Sequence, residues 1–159
     1  MGSLEGKVAP PFELTDGTGE AVSLADYAGK DVVVYFYPRD DTPGCTKEAC
    51  GFRDFSKELT KLGVVVFGVS PDSGPSHEKF RAKYKLPFTL LSDPDKKVMK
   101  KYGAFGEKVL YGKKTQGVIR STVWIGRDGT VKKHWARVPK AEEHPEKVLD
   151  AIRAERGKK

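Results

Sequence analysis

Cysteine is scarce in this chain: its 159 residues include two, Cys45 and Cys50, and histidine contributes only three. Two cysteines in a chain this long cannot be the disulfide framework of a small secreted domain. His77, His134 and His144 lack ligand spacing, so no metal site is expected. No run of eighteen apolar residues occurs, so no membrane span is expected. The opening residues 1–9 carry no apolar stretch of signal-peptide length. Internal repeats, low-complexity segments and linkers are missing too. The expectation is one domain over residues 1–159 in a reducing cytoplasm. There, a close cysteine pair is more often catalytic or metal-binding than structural.

What is present can build a core: 38% of the residues are hydrophobic and 10% aromatic, too many for a disordered tail. The net charge is +7, which raises the question of nucleic acid. The basic residues are scattered over expected helix faces among Asp and Glu, and part of the excess lies in the end segment 153–159. A solvated surface explains this better than a binding footprint.

Strand and helix patterns alternate. Residues 32–37 and 64–70 are nearly unbroken apolar runs, as in strands buried on both faces. Residues 43–62 carry helical periodicity through Ala49, Phe52, Phe55, Leu59 and Leu62, with Gly63 as the stop. Ser76 is expected to cap the next helix, with Phe80 and Tyr84 inward and Pro87 beyond its end. A short strand at 88–91 follows, then a helix holding Val98, Met99 and Tyr102. Residues 118–125 and 130–135 read as strands joined by the turn Arg127-Asp-Gly129, and a last helix spans about 142–156. The fold class is α/β: a central mixed sheet with helices on both faces. The cysteines then lie at the carboxyl end of a central strand, where open α/β sheets place their sites.

With Thr42 as N-cap, Pro43 occupies the first helical position, where its missing N–H costs nothing. Gly44 and Cys45 follow, with amides that have no intrahelical acceptor. The helix dipole adds partial positive charge, so a Cys45 thiolate is stabilised there. Gly44 allows close approach to the backbone. The same amides, with the Thr42 hydroxyl, can hold the oxygens of a small oxidant and polarise a leaving oxygen. Arg120, inside the apolar run 118–125, is the favoured cation, because a buried arginine is costly unless it faces an anion. An edge position reaching solvent is the other reading. Arg39 and Arg53 read as surface charges, and Glu48 as a solvated helix-face carboxylate. Tyr35, Tyr37, Phe52 and Trp124 read as core or site wall.

Attack of a Cys45 thiolate on a peroxide leaves a sulfenic acid, which condenses with a nearby thiol. Cys50 is the one other thiol, unless it serves only as a small buried hydrophobe. In an intact helix the two Cα atoms stand roughly 8.7 Å apart, beyond the ~7 Å that a disulfide spans. The first turns of the helix must therefore unwind for the bond to close.

The segment Pro38-Arg-Asp-Asp-Thr42-Pro-Gly-Cys45 resembles the P-x-x-x-T/S-x-x-C signature of peroxiredoxins, in their bacterioferritin-comigratory or Q-type group. Cys50 is similar to that group's resolving cysteine and Arg120 to its active-site arginine. The likeness extends from the Pro-Pro-Phe start through Gly68-Val-Ser-Pro-Asp and Leu91-Ser-Asp to Asp128-Gly. It implies a thioredoxin-like fold and reduction of hydrogen peroxide and organic hydroperoxides. It further implies thioredoxin or glutaredoxin as reductant, no metal, flavin or haem, and a monomer. Cys45 would be the peroxidatic residue and Cys50 the resolving one, with Pro38, Thr42, Gly44 and Arg120 shaping the peroxide pocket. Two other readings compete. A thiol-disulfide oxidoreductase or redox-regulated chaperone would share the fold, but its usual C-x-x-C is absent. A nucleic-acid module would need a basic stripe with interleaved aromatics, which is also absent.

Overall fold

The computed structural model describes residues 4–110 and 112–156. The charged end and the opening residues discussed above thus lie partly outside it, at 157–159 and 1–3. Nine strands are described: β1 (Glu13–Asp16), β2 (Ala21–Ser23), β3 (Asp31–Phe36), β4 (Val64–Ser70), β5 (Thr89–Ser92), β6 (Phe105–Leu110), β7 (Lys113–Val118), β8 (Ser121–Ile125) and β9 (Val131–Trp135). The helices are α1 (Pro43–Asp54), α2 (Ser56–Lys61), α3 (Gly74–Tyr84), α4 (Lys97–Lys101) and α5 (His144–Arg156), with a short 3-10 turn at Leu24–Tyr27.

Seven strands form one mixed sheet in the order β2-β1-β5-β4-β3-β8-β9. β3 runs parallel to β4, and β4 to β5; β8 lies antiparallel on the other side of β3. Every residue of β3 is buried, which is why its apolar run is unbroken rather than alternating. Its two faces nevertheless obey the strand period of two. Val33, Tyr35 and Tyr37 pack with Phe52 of α1, Leu59 of α2, Phe80 of α3 and Val148, Leu149 and Ile152 of α5. Val32, Val34 and Phe36 pack on the opposite side with Val98, Met99 and Tyr102 around α4. Helices therefore cover both faces of a mixed sheet, as expected.

Three expectations need correction. The helix read over 43–62 is interrupted at Phe55, whose φ of −98° and ψ of 8° end α1 before α2 begins. The apolar periodicity runs through this one-residue break, so it leaves no trace in the pattern. The cap of α3 is Ser73, not Ser76: the Ser73 side chain accepts from the Ser76 amide. Pro75 falls within the first turn, where proline is tolerated. Residues 118–125 are not one strand. The chain leaves the two-stranded β6–β7 ladder at Val118 and joins the main sheet at Ser121. Between them, the Ile119 amide donates to Ala104 and the Arg120 carbonyl accepts from Val138. The β6–β7 hairpin leaves little signal in the sequence, because its second strand is largely polar and exposed.

The amino end of α5 is pressed onto α1 just past Cys50. A Cβ added at Gly51 would stand 2.7 Å from Pro145 Cγ, so only glycine admits this contact. Beside it, His144 donates to or accepts from Thr122 Oγ1 at 2.8 Å and packs edge-on against Phe52 and Trp135.

Candidate active site

β3 ends at Phe36 and the chain turns through residues 37–42 into α1. Thr42 is the N-cap, with extended dihedrals, and Pro43 takes the first helical position. The Thr42 hydroxyl does not cap the helix; it donates to the Arg39 carbonyl at 3.0 Å. The amides of Gly44 and Cys45, which have no intrahelical acceptor, are thus left uncapped by that side chain.

Cys45 is 1% exposed, while Thr42, Gly44 and Thr46 around it are half-buried. The sulfur lies just beneath the rim of the first turn. Arg120 reaches it from the junction between β7 and β8, with Nη2 donating to Sγ at 3.1 Å. The guanidinium lies so close over the helix that a Cβ at Gly44 would come within 3.2 Å of Nη2. The missing side chain at Gly44 thus makes room for Arg120. Nη1 of the same arginine donates to Glu48 Oε1 at 2.7 Å. Arg120 thus bridges a thiol and a carboxylate, and neither its edge reading nor its place inside a strand holds.

Glu48 is the main correction to the expected site. It is not solvated but fully buried, and its second oxygen, Oε2, has no hydrogen-bond partner. The sequence carried a signal for this. Cys45, Glu48, Ala49 and Phe52 fall at i, i+3, i+4 and i+7, one stripe of a helix, so a charge at 48 lies on the inner face. Burial pushes the Glu48 carboxyl up to about 7, although the Arg120 charge and hydrogen bond pull the other way. The ion pair and this upward shift conflict only in part, because one cation satisfies one oxygen of a carboxylate that has lost all its water. For Arg120, burial works against the charge, but Glu48 and Cys45 outweigh it and hold the guanidinium above its ordinary value.

Tyr35 lines the floor, stacked on Phe52 at 4.8 Å and on Tyr37 at 5.4 Å between ring centroids. Its buried hydroxyl also has no hydrogen-bond partner. Pro38 and Arg39 are exposed in the preceding turn. Arg53 uses its guanidinium on the Tyr84 carbonyl and on Asp54, as a surface charge would. Cys50 is half-buried further along α1, and both cysteines are free thiols. Among the described residues no group of three or more His, Cys, Asp or Glu could hold a metal ion, and no helix is long and apolar enough to cross a membrane.

Chemically, the arrangement stabilises negative charge on one sulfur from two directions, the helix amino end and a guanidinium. Arg120 donors and uncapped amides also converge where a leaving oxygen would develop charge.

Two buried groups near the site give opposing pH dependences. Burial pushes His144 down to about 4, with Lys147 and Arg120 adding to the effect. As pH falls from 6.5 towards 4, the unfolded chain takes that proton first and stability is lost, on the order of 3 kcal/mol in all. Glu48 acts in the other sense. As pH rises from 4.5 towards 7, the unfolded chain ionises first, and stability falls by a similar amount, on the order of 3 kcal/mol. The wild-type profile between pH 4.5 and 6.5 should therefore be nearly flat. Urea midpoints of Glu48→Gln should rise with pH across that range and those of His144→Gln should fall. Parallel profiles for the two variants would contradict the assignment.

Comparison with known proteins gives a consistent set of relatives. Residues 6–134 match the AhpC/TSA family. A Bcp peroxiredoxin homologue from Coxiella burnetii is 50% identical over 147 residues, covering 92% of this chain and 97% of its own length. Peroxiredoxin Bcp of Bacillus subtilis is 43% identical over 148 residues, 93% of this chain and 94% of its own. Among solved structures, the bacterioferritin comigratory protein of Xanthomonas campestris, characterised for alkyl peroxide reduction, superposes with a TM-score of 0.85. That protein is 38% identical over 91% of each chain.

Proposed function

Because this chain belongs to the AhpC/TSA family as a Bcp- or Q-type peroxiredoxin, a thiol peroxidase of thioredoxin-like fold, we propose that Cys45 is its peroxidatic residue and Cys50 its resolving one. The observation that carries this is the Arg120 contact: a guanidinium 3.1 Å from a sulfur in the first turn of a helix.

The Cys45 thiolate attacks one peroxide oxygen and the O–O bond breaks. The second oxygen leaves as hydroxide or alkoxide and takes up a proton, giving water or an alcohol. Arg120 and the Gly44 and Cys45 amides stabilise that leaving oxygen, while Thr42 and Pro38 shape the turn beside it. The substrate class extends to alkyl hydroperoxides, by likeness to the Xanthomonas protein. Cys45 sulfenic acid then condenses with the Cys50 thiol, releasing water. Since α1 spans both residues as continuous helix, roughly 8.7 Å must shrink below ~7 Å. The helix start unwinds and presents the disulfide to an external dithiol protein, thioredoxin or glutaredoxin, which takes the oxidation by exchange. One chain of 1–159 holds both thiols, so the cycle needs no second copy, and a monomer in a reducing cytoplasm suits it.

The test is stoichiometric peroxide added to reduced protein, followed by thiol counting and disulfide mapping. Two thiols should disappear together into a Cys45–Cys50 bond. Cys50→Ser should consume one equivalent, then stall until a small thiol is added. Continuous turnover of Cys50→Ser on thioredoxin alone would refute its resolving role.

A further inference from the structure

Asp40 belongs to the motif segment before Cys45, yet nothing in the peroxide chemistry described so far uses it. It is buried, as is His77 of α3, which is wholly inaccessible. His77 Nδ1 lies 2.7 Å from Asp40 Oδ2, and Nε2 lies 2.9 Å from the Leu91 carbonyl. A carbonyl only accepts, so Nε2 carries a proton, and Nδ1 and Oδ2 share a second one. Two hydroxyls complete the carboxylate: Tyr37 donates to Oδ1 at 2.5 Å and Ser76 to Oδ2 at 2.8 Å. The Asp40 amide donates to Asp72 at 2.7 Å, and Asp72 accepts from Ser70 at 2.7 Å.

The next residue is fastened as well. Asp41 adopts a left-handed φ of 56°, a conformation that costs a non-glycine residue about 1 kcal/mol or more. Its carboxylate accepts from Lys83 and Tyr84 of α3, both at 2.8 Å. Residues 40 and 41 are therefore bolted to α3 and to the ends of β4 and β5. Thr42, one residue on, is held by local bonds: its hydroxyl donates to the Arg39 carbonyl and its carbonyl accepts from the Thr46 amide. Beyond Cys50, Gly51 is seated against Pro145.

We infer that Asp40 and His77 are positioning residues for the peroxide step: their buried pair fixes the turn that aims Thr42 and the Gly44 and Cys45 amides, and it stays closed while the helix beyond it unwinds. The segment that opens is then confined to residues 42–50, between two fixed anchors. This rests on the reading of Cys45 as the peroxidatic residue. Rigid placement matters because a displacement of about 1 Å at a reacting group costs on the order of a hundredfold in rate.

The test separates the two half-reactions in two variants. In His77→Asn, the side-chain N–H group stands near Nδ1 and still reaches Asp40; in His77→Gln, it stands near Nε2 and reaches Leu91 instead. The rate of Cys45 sulfenic acid formation is measured in a Cys50→Ser background, and the rate of disulfide closure with Cys50 present. Thermal midpoints are recorded alongside. Positioning through Asp40 predicts a loss of about tenfold or more in sulfenic acid formation for Gln, recovery of most of the rate for Asn, and disulfide closure unchanged in both. Stability alone predicts the reverse order, because the smaller Asn leaves a cavity that Gln fills. Equal rates, or rates that follow the thermal midpoints, would overturn the inference. If the parent Cys50→Ser protein forms no Cys45 sulfenic acid at all, the underlying assignment fails and the inference falls with it.

Discussion

Cys45→Ser should abolish peroxide consumption, by about 10⁴-fold or more, while leaving the fold intact. A serine hydroxyl carries no significant anionic fraction at neutral pH, so the charge-stabilising surroundings have nothing to act on. The exchange is close to isosteric in a site that is 1% exposed. The Arg120 guanidinium keeps its 2.7 Å bond to Glu48 and can donate to Oγ in place of Sγ. Stability should therefore change by about 1 kcal/mol at most. Peroxide consumption and urea unfolding, measured on the same preparation, check both halves. Wild-type turnover in this variant would place the nucleophile elsewhere, and Cys50 is the one other thiol in the chain.

Arg120→Met should lower kcat/KM for peroxide by about 10²- to 10³-fold, the usual cost of losing a donor aimed at developing charge. It should also destabilise the fold, because the buried Glu48 carboxyl, already raised to about 7, loses its cation and is held protonated without a partner. These effects have different origins and come apart in a double variant. Arg120→Met with Glu48→Gln removes the orphaned carboxyl, so stability should recover, whereas activity should not. Arg120→Lys is the complementary case. A single ammonium cannot reproduce the fork that reaches Sγ at 3.1 Å and Oε1 at 2.7 Å together, and its rate should stay well below wild type. Recovery of activity in the double variant would mean that Arg120 serves only to neutralise Glu48.

Much of this site is legible in the sequence, for identifiable reasons. An unbroken apolar strand, a turn and a proline at the first helical position place Cys45 by local rules alone. What escaped is long-range. Asp40 meets His77 across 37 positions, and no local pattern announces that pairing. Arg120 does lie against the Cys45 sulfur, but it belongs to the crossover between two ladders, not to a strand interior. Glu48 was legible in part, since its spacing from Cys45 and Phe52 puts it on the inner stripe. A lone glutamate on a helix is nevertheless usually solvated, and the half-buried guanidinium beside it explains the exception. The β6–β7 hairpin stayed hidden because solvated strands need no apolar alternation.

The mounting of Arg120 has a consequence for recovery after each catalytic round. Its backbone is tied to Val138, and its neighbour Ile119 to Ala104, so the cation rides on a frame separate from the coil that bears the sulfur. If that coil comes undone on oxidation, as proposed, Glu48 should depart from the guanidinium along with it, while the guanidinium itself should keep its place. A stationary positive post then awaits the returning carboxylate and thiolate. Reassembly becomes a short homing search by one loose strip of chain, with the remainder of the molecule serving as its template.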